Sequence, residues 1–96
     1  MTIAFDVDGT IVNLDDTPNF KVIDLLRWFS QNGDRVIVWS GGGGDYAKMW
    51  ADRFNLPYFT TAMKDRATAK LWDIDIVVDD EFVKLGKVNI KVNKLQ

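Results

Sequence analysis

The chain has no cysteine and no histidine, and only two prolines. Without cysteine no disulfide can staple the fold, and the redox compartment is left unconstrained. Without histidine there is no Ser-His-Asp triad and no Cys-His pair, and with both residue types missing the usual zinc ligands are gone too. Long apolar runs are also missing. The N-terminal MTIAFD reaches an aspartate at position 6, so it does not read as a secretory signal, and no stretch approaches the length of a membrane span. A cytoplasmic protein with no membrane partner is the expectation. Any catalysis must fall to carboxylates, lysine, hydroxyls and a hard metal ion.

What is present fits one soluble domain over residues 1–96, with 47% hydrophobic and 27% charged residues. Its oddest stretch is WSGGGGDYA at 39–47, with four glycines in a row. Glycine is entropically costly to order, so the run needs a reason. A linker there would leave pieces of about 40 and 52 residues, near the size at which a core alone rarely suffices. The glycines are therefore read as a loop inside a single domain.

The apolar pattern alternates between two periods. IAFDV (3–7), VIVW (36–39) and IVV (76–78) are continuous apolar runs, as central strands of a parallel sheet covered on both faces would be. PYFTT (57–61) is weaker and VNIKV (88–92) alternates strictly, which predicts edge strands with one covered and one wet face. Between them, Val22, Leu25, Leu26 and Phe29 form one helical stripe, with Thr17-Pro18 as its start and Asn32-Gly33 as its stop. Tyr46, Met49, Trp50 and Phe54 form a second stripe, with Asp45 as the N-cap, and a third helix is expected from Asp65 to about Trp72. Trp28, Trp39, Trp50 and Phe54 are expected in the core. Strands alternating with helices predict an α/β fold: a doubly wound, Rossmann-like, mostly parallel five-stranded sheet with helices on both faces.

Ligands of such sheets bind beyond the carboxyl ends of the strands. After strand one come Asp6 and Asp8 in FDVDGT, after strand two Ser40 and the glycines, after strand three Lys64, and after strand four Asp79 and Asp80. Clustered carboxylates repel unless a cation neutralises them, and all-oxygen ligation suits Mg²⁺. A lysine, a hydroxyl and glycine N–H groups at a helix start supply an anion site beside it. Metal, anion cradle and a carboxylate nucleophile together describe phosphoryl transfer. On this reading Gly41 and the glycines after it let the backbone approach a phosphate. Ser40 alone also fits a turn or helix cap, and Lys64 has a rival in Lys70. Asp15 and Asp16 read as surface turn residues, and Glu81 as either a support for the acidic pair or a surface carboxylate.

In order and type these residues resemble the four motifs of the haloacid dehalogenase superfamily, over nearly the whole chain. DVDGT resembles the first motif, Ser40 the second, Lys64 the third and Asp79-Asp80 the fourth. The resemblance implies a phosphatase. Asp6 would attack phosphorus to form an aspartyl-phosphate, and Asp8 would protonate the leaving oxygen and then activate water. Ser40, Gly41 and Lys64 would bind the phosphoryl group. Asp6, Asp8 through its backbone carbonyl, Asp79 and Asp80 would hold Mg²⁺, with the choice of direct ligand between Asp79 and Asp80 open. Dehalogenases of this superfamily lack the second aspartate, so Asp8 points to phosphate chemistry. Two alternatives remain: a receiver-like phosphoacceptor domain, although its acidic pair should follow strand one, and a non-catalytic phosphate-binding module.

Relatives usually insert a lid after the first motif or after strand three. Here those intervals are residues 10–19 and the short span from Thr60 to Lys64, too short for a folded lid, so a capless site is expected. The phosphorylated substrate should then be large enough to cover the site itself, a polynucleotide end or a phosphoprotein, or a homo-oligomer should cover it around a small phosphomonoester. Net charge is −2, with three basic against seven acidic residues over 1–45 and nine against seven over 46–96. Lys84, Lys87, Lys91 and Lys94 make a modest basic tail, but no strong basic stripe indicates tight nonspecific nucleic-acid binding. Asp15 and Asp16 would disfavour a polyanion lying across them.

Overall fold

A computed structural model describes residues 1–93; Lys94 of the basic tail lies outside them. The elements run β1 (Thr2–Asp6), α1 (Phe20–Gln31), β2 (Arg35–Ser40), α2 (Gly44–Arg53), β3 (Thr60–Met63), α3 (Arg66–Trp72), β4 (Ile76–Asp79) and β5 (Val88–Lys91). The strands form one five-stranded sheet in the order β3-β2-β1-β4-β5, and every pairing is parallel. The chain steps from β1 to β2 to β3 in one direction, then returns across β1 to β4. Right-handed crossovers therefore put α1 and α2 on one face and α3 on the other.

Two cores follow from the period-two alternation of strands covered on both faces. Ile3, Phe5, Val36, Val38 and Val78 pack under α1 and α2, where Ile23, Leu26 and Trp50 meet them. Ala4, Ile37, Trp39 and Val77 pack on the other face with Ala69 of α3 and Ile74. Trp39 is fully buried there, as expected.

Several local expectations need correction. α1 starts at Phe20 with Asn19 as N-cap, not at Thr17-Pro18. Pro18 is held in a bridge to Val12, and the Thr17 hydroxyl is engaged with Asp15 and Asn13. α2 is capped by Gly43 rather than Asp45, which sits in the first turn where its charge suits the helix dipole. β3 begins at Thr60 rather than 57: the Phe59 N–H makes the first bond to β2, at the Val36 carbonyl, and Pro57 two residues before it has no N–H to extend the ladder. Trp28 is 57% exposed, off the α1 stripe and edge-on to Phe29, and Met49 is 46% exposed, with Ala47 and Ala51 taking the buried side of α2. β5 was expected to have one covered face, but Val88 and Ile90 are 53% and 39% exposed. They pair with Ile76 and Val78, on the α1 side, beyond the cover of that helix layer.

The β4–β5 connection is a helix-free crossover over residues 80–87 that tucks Val83 and Leu85 against the α3-side core. It passes close to the sheet at Gly86. A Cβ there would stand 3.0 Å from Val77 Cγ2, 3.1 Å from the Val88 carbonyl and 3.2 Å from Val77 N. Two of those neighbours are backbone and cannot swing away. Gly86→Ala should therefore destabilise the fold by about 1–3 kcal/mol, the usual cost of overpacking, read as a lowered midpoint in urea unfolding. An unchanged midpoint would mean that the crossover stands off the sheet.

Candidate active site

β1 and β4 are hydrogen-bonded neighbours, with Phe5 opposite Val78, so Asp6 and Asp79 emerge side by side at their carboxyl ends. This is the point at which the strand order reverses, the usual location of a ligand crevice in such sheets. Asp6, Asp79 and Asp80 are all buried, and one oxygen from each lies within 4.8 Å of the others. Lys64, directly after β3, reaches in from the opposite side, with Nζ 3.0 Å from Asp6 Oδ1 and 3.1 Å from Asp79 Oδ2. Its backbone N–H donates to the Ser40 carbonyl, which ties the end of β3 to the end of β2.

The turn after β1 holds this group in place. Thr10 is fully buried, and its one hydroxyl proton is shared between Asp6 Oδ2 at 3.1 Å and Asp80 Oδ1 at 3.2 Å. Gly9 has a φ of +79°, and a Cβ on it would fall 2.4 Å from Asp80 Oδ2. Only glycine fits both the backbone and the space the carboxylate occupies. Thr10 and Gly9 stand inside the DVDGT stretch, but spacing alone gives them no role; their contacts come from a residue seventy positions away.

Around this group lies a crevice of about 320 Å³ lined by Asp6, Asp8, Ser40, Gly41, Gly42, Lys64 and Asp80 among others. The expected residues are thus brought together, with two distinctions. The Asp8 carboxylate stands apart from the buried trio: it is exposed and accepts a 2.7 Å hydrogen bond from the Tyr46 hydroxyl. Helical periodicity assigns Tyr46 to the core stripe, but its ring packs beside the core while its hydroxyl turns to Asp8. Lys70, the rival lysine, lies in α3 and lines a different groove. Ser40 Oγ accepts the Gly42 N–H at 3.0 Å, closing a turn that leads into α2. Of the four glycines only Gly43 is required by its own backbone, with a φ of +108°, whereas Gly41 faces open space within the crevice.

The electrostatics of the cluster are unbalanced. Burial, followed by the charge of Asp79, pushes the Asp6 carboxyl up to about 7, against the hydrogen bond and charge of Lys64. Burial likewise raises Asp79, opposed by the Glu81 N–H and Lys64. Burial works against the charge on Lys64, but Asp6 and Asp79 outweigh it and hold its pKa above the ordinary value. Three buried carboxylates with one lysine leave a deficit of positive charge, and a set of hard oxygen donors fits a divalent cation such as Mg²⁺. Asp6, Asp79 and Asp80 would hold it.

No family model matches this chain, and no curated protein matches it. Among solved structures it is similar to a chain of the Pnkp1/Rnl/Hen1 complex, with a TM-score of 0.77 at 21% identity. The similarity covers 97% of this chain and 46% of that one, so this chain spans less than half the length of its solved counterpart. The likeness is one of fold. It agrees with the doubly wound parallel sheet, which carries no inserted lid among the described residues. Among those residues, too, no helix is long and apolar enough to cross a membrane.

The raised Asp6 and Asp79 carboxyls fix the sign of a pH effect. The fold favours their neutral forms, so their contribution to stability is complete below the ordinary value of 3.8 and is lost as pH rises through about 7 for Asp6. EDTA-treated protein should melt at a lower temperature at pH 8 than at pH 5. Mg²⁺ should raise Tm more at pH 8, where the ligands are ionised. Metal-free protein that is equally stable at both pH values, with no response to Mg²⁺, would contradict the charge deficit.

Proposed function

We propose that this chain is a Mg²⁺-dependent phosphomonoester hydrolase of haloacid dehalogenase type that works through an aspartyl-phosphate on Asp6. The observation that carries the reading is the placement of Asp6. It stands at the end of β1, 3.0 Å from Lys64, grouped with Asp79 and Asp80, with a second aspartate two residues on.

The Asp6 carboxylate attacks phosphorus, a P–O bond to Asp6 forms, and the bond to the leaving oxygen breaks. Asp8 gives its proton to that oxygen. Asp8, now a carboxylate, takes a proton from water as the water attacks the acyl-phosphate, which releases orthophosphate and restores both aspartates. Lys64 neutralises charge on the nucleophile and on the transferring group, and the start of α2 with Gly41 offers backbone N–H groups and a positive dipole end to the phosphoryl oxygens. A bound Mg²⁺ would supply charge neutralisation for the phosphoryl oxygens. Tyr46 positions Asp8: a group that must serve as acid and then base on an exposed turn needs a fixed direction, and the hydroxyl of α2 provides it.

The strand order speaks against the receiver alternative, since receiver sheets run 2-1-3-4-5 whereas this sheet runs 3-2-1-4-5. The non-catalytic alternative is separated by turnover. Hydrolysis of para-nitrophenyl phosphate should vanish with EDTA and return with Mg²⁺, and Asp6→Asn should abolish it with Tm preserved. Phosphate binding that depends on Mg²⁺ without any turnover would instead favour the binding module.

Two further substitutions test the roles of individual groups. Lys64→Ala should lower kcat/KM by on the order of 10²-fold, the scale of losing one preorganised donor to a developing charge. Tyr46→Phe should lower kcat severalfold with KM and Tm little changed, because only the direction of Asp8 is lost. A Tyr46→Phe enzyme with normal kcat would remove Tyr46 from the mechanism.

A further inference from the structure

Outside the Asp6 crevice, a groove of about 460 Å³ runs between α3 and the 80–87 crossover. Arg66 and Lys70 line it from the helix, Lys84 and Lys87 line it from the crossover, and Asp73 is its one carboxylate. Lys87 is engaged with Asp73 and Asp75, but among the described residues Arg66, Lys70 and Lys84 make no ion pair. All three are exposed. The sequence shows only one wall of this patch, Lys84 and Lys87 of the modest basic tail; the fold adds Arg66 and Lys70 from a second segment.

Both segments that wall the groove follow closely, along the chain, on residues of the Asp6 crevice. Arg66 stands two residues after Lys64, and Lys84 three residues after Glu81, which also lines the crevice. Between Glu81 and Lys84 projects Phe82, 91% exposed, with Lys91 Nζ 5.3 Å from the centre of its ring. Phe82 lines a separate recess with Asn89, Ile90 and Lys91, on the β5 side of the same crossover whose Lys84 lines the groove. Cations and an exposed aromatic ring carried on one segment are the elements that bind single-stranded nucleic acid: phosphates follow the cations and a base stacks on the ring. Arg66 and Lys70 are one helical turn apart, about 6 Å along the axis, within reach of successive phosphates of an extended strand. The groove also lies on the α3 face, whereas the 10–19 segment with Asp15 and Asp16 packs through Ile11 and Val12 into the α1 side. A strand in the groove therefore avoids those carboxylates.

We propose that this groove binds a single-stranded nucleic acid and presents its terminal phosphate to the Asp6 crevice. The hydrolytic half of the statement rests on the reading given under Proposed function; the binding half stands on the groove itself. An acidic peptide would satisfy the cations but would have no base to stack on Phe82.

The test measures binding without turnover. A fluorescein-labelled deoxythymidine hexanucleotide with no terminal phosphate is titrated in EDTA and followed by anisotropy at several salt concentrations. The triple variant Arg66→Gln/Lys70→Gln/Lys84→Gln, altered only at exposed positions, should bind at least tenfold more weakly. Its log–log salt dependence should be shallower by about 2, three lost phosphate contacts at the single-strand slope. Phe82→Ala should weaken binding roughly fivefold or more through the lost stacking. In turnover, kcat/KM for the same hexanucleotide carrying a 3′- or 5′-phosphate should fall at least tenfold in the triple variant relative to para-nitrophenyl phosphate. Unchanged binding in the triple variant would overturn the groove, even if aryl phosphate hydrolysis is vigorous. A glutamate hexapeptide that competes as well as the oligonucleotide would overturn the nucleic-acid assignment in favour of an acidic protein partner. Groove-dependent binding with no hydrolysis of any phosphate would sink the phosphatase reading and leave the groove standing.

Discussion

Three carboxylates packed against one lysine at the end of two neighbouring strands are the constraint around which this protein is organised. In water such groups would stay apart. Here the parallel pairing of β1 with β4 brings Asp6 and Asp79 together, and their desolvation is relieved only in part by Lys64. A buried charge left unpaired is costly, so every group that touches this cluster is under demand. Thr10 bridges two of its members, the Glu81 N–H caps Asp79, and the Ser40 carbonyl holds the Lys64 backbone where its side chain can reach. A chain arranged this way accepts a local penalty in folding, and a cation can remove it.

The backbone carries as much of the arrangement as the side chains do. Gly9 and Gly43 take conformations closed to most residues, one beneath Asp80 and one at the start of α2. The four glycines at 41–44 are accordingly not one feature. Gly43 turns the chain, Gly44 lies against the Ala62 backbone, and Gly41 leaves open space where a ligand would stand. Gly41 and Gly42 line the crevice, where side chains would narrow the approach, while Gly43 and Gly44 serve the start of α2 and its seat against β3.

The strand and helix order, the edge positions of β3 and β5 and the gathering of Asp6, Ser40, Lys64, Asp79 and Asp80 at one end of the sheet were legible in the sequence. They follow from hydrophobic period and from what stands after each strand, both of which are local. What was not legible depends on contacts between distant segments. Thr17-Pro18 has the form of a helix start, but the turn before it takes both residues. Tyr46 has the spacing of a core residue, but its hydroxyl serves Asp8 from a different element. Trp28 and Val88 are apolar yet more than half exposed among the described residues. The basic groove is half hidden for the same reason, since Arg66 and Lys84 become neighbours only after α3 and the crossover dock.

The two faces of the sheet are unequally covered. α1 and α2 bury a broad core, whereas α3 has seven residues, buries only Ala69 fully, and shares its side with a helix-free crossover. A helix that short has little stability of its own and forms because it is docked. Opening free energies should therefore differ across the sheet. Amides of α3 and the crossover should exchange with solvent through small local fluctuations, while those of β1, β2 and α1 wait for global unfolding. The crevice lies on the seam between these regimes, with Asp6 anchored in the slow part and Lys64 leading directly into the fast one.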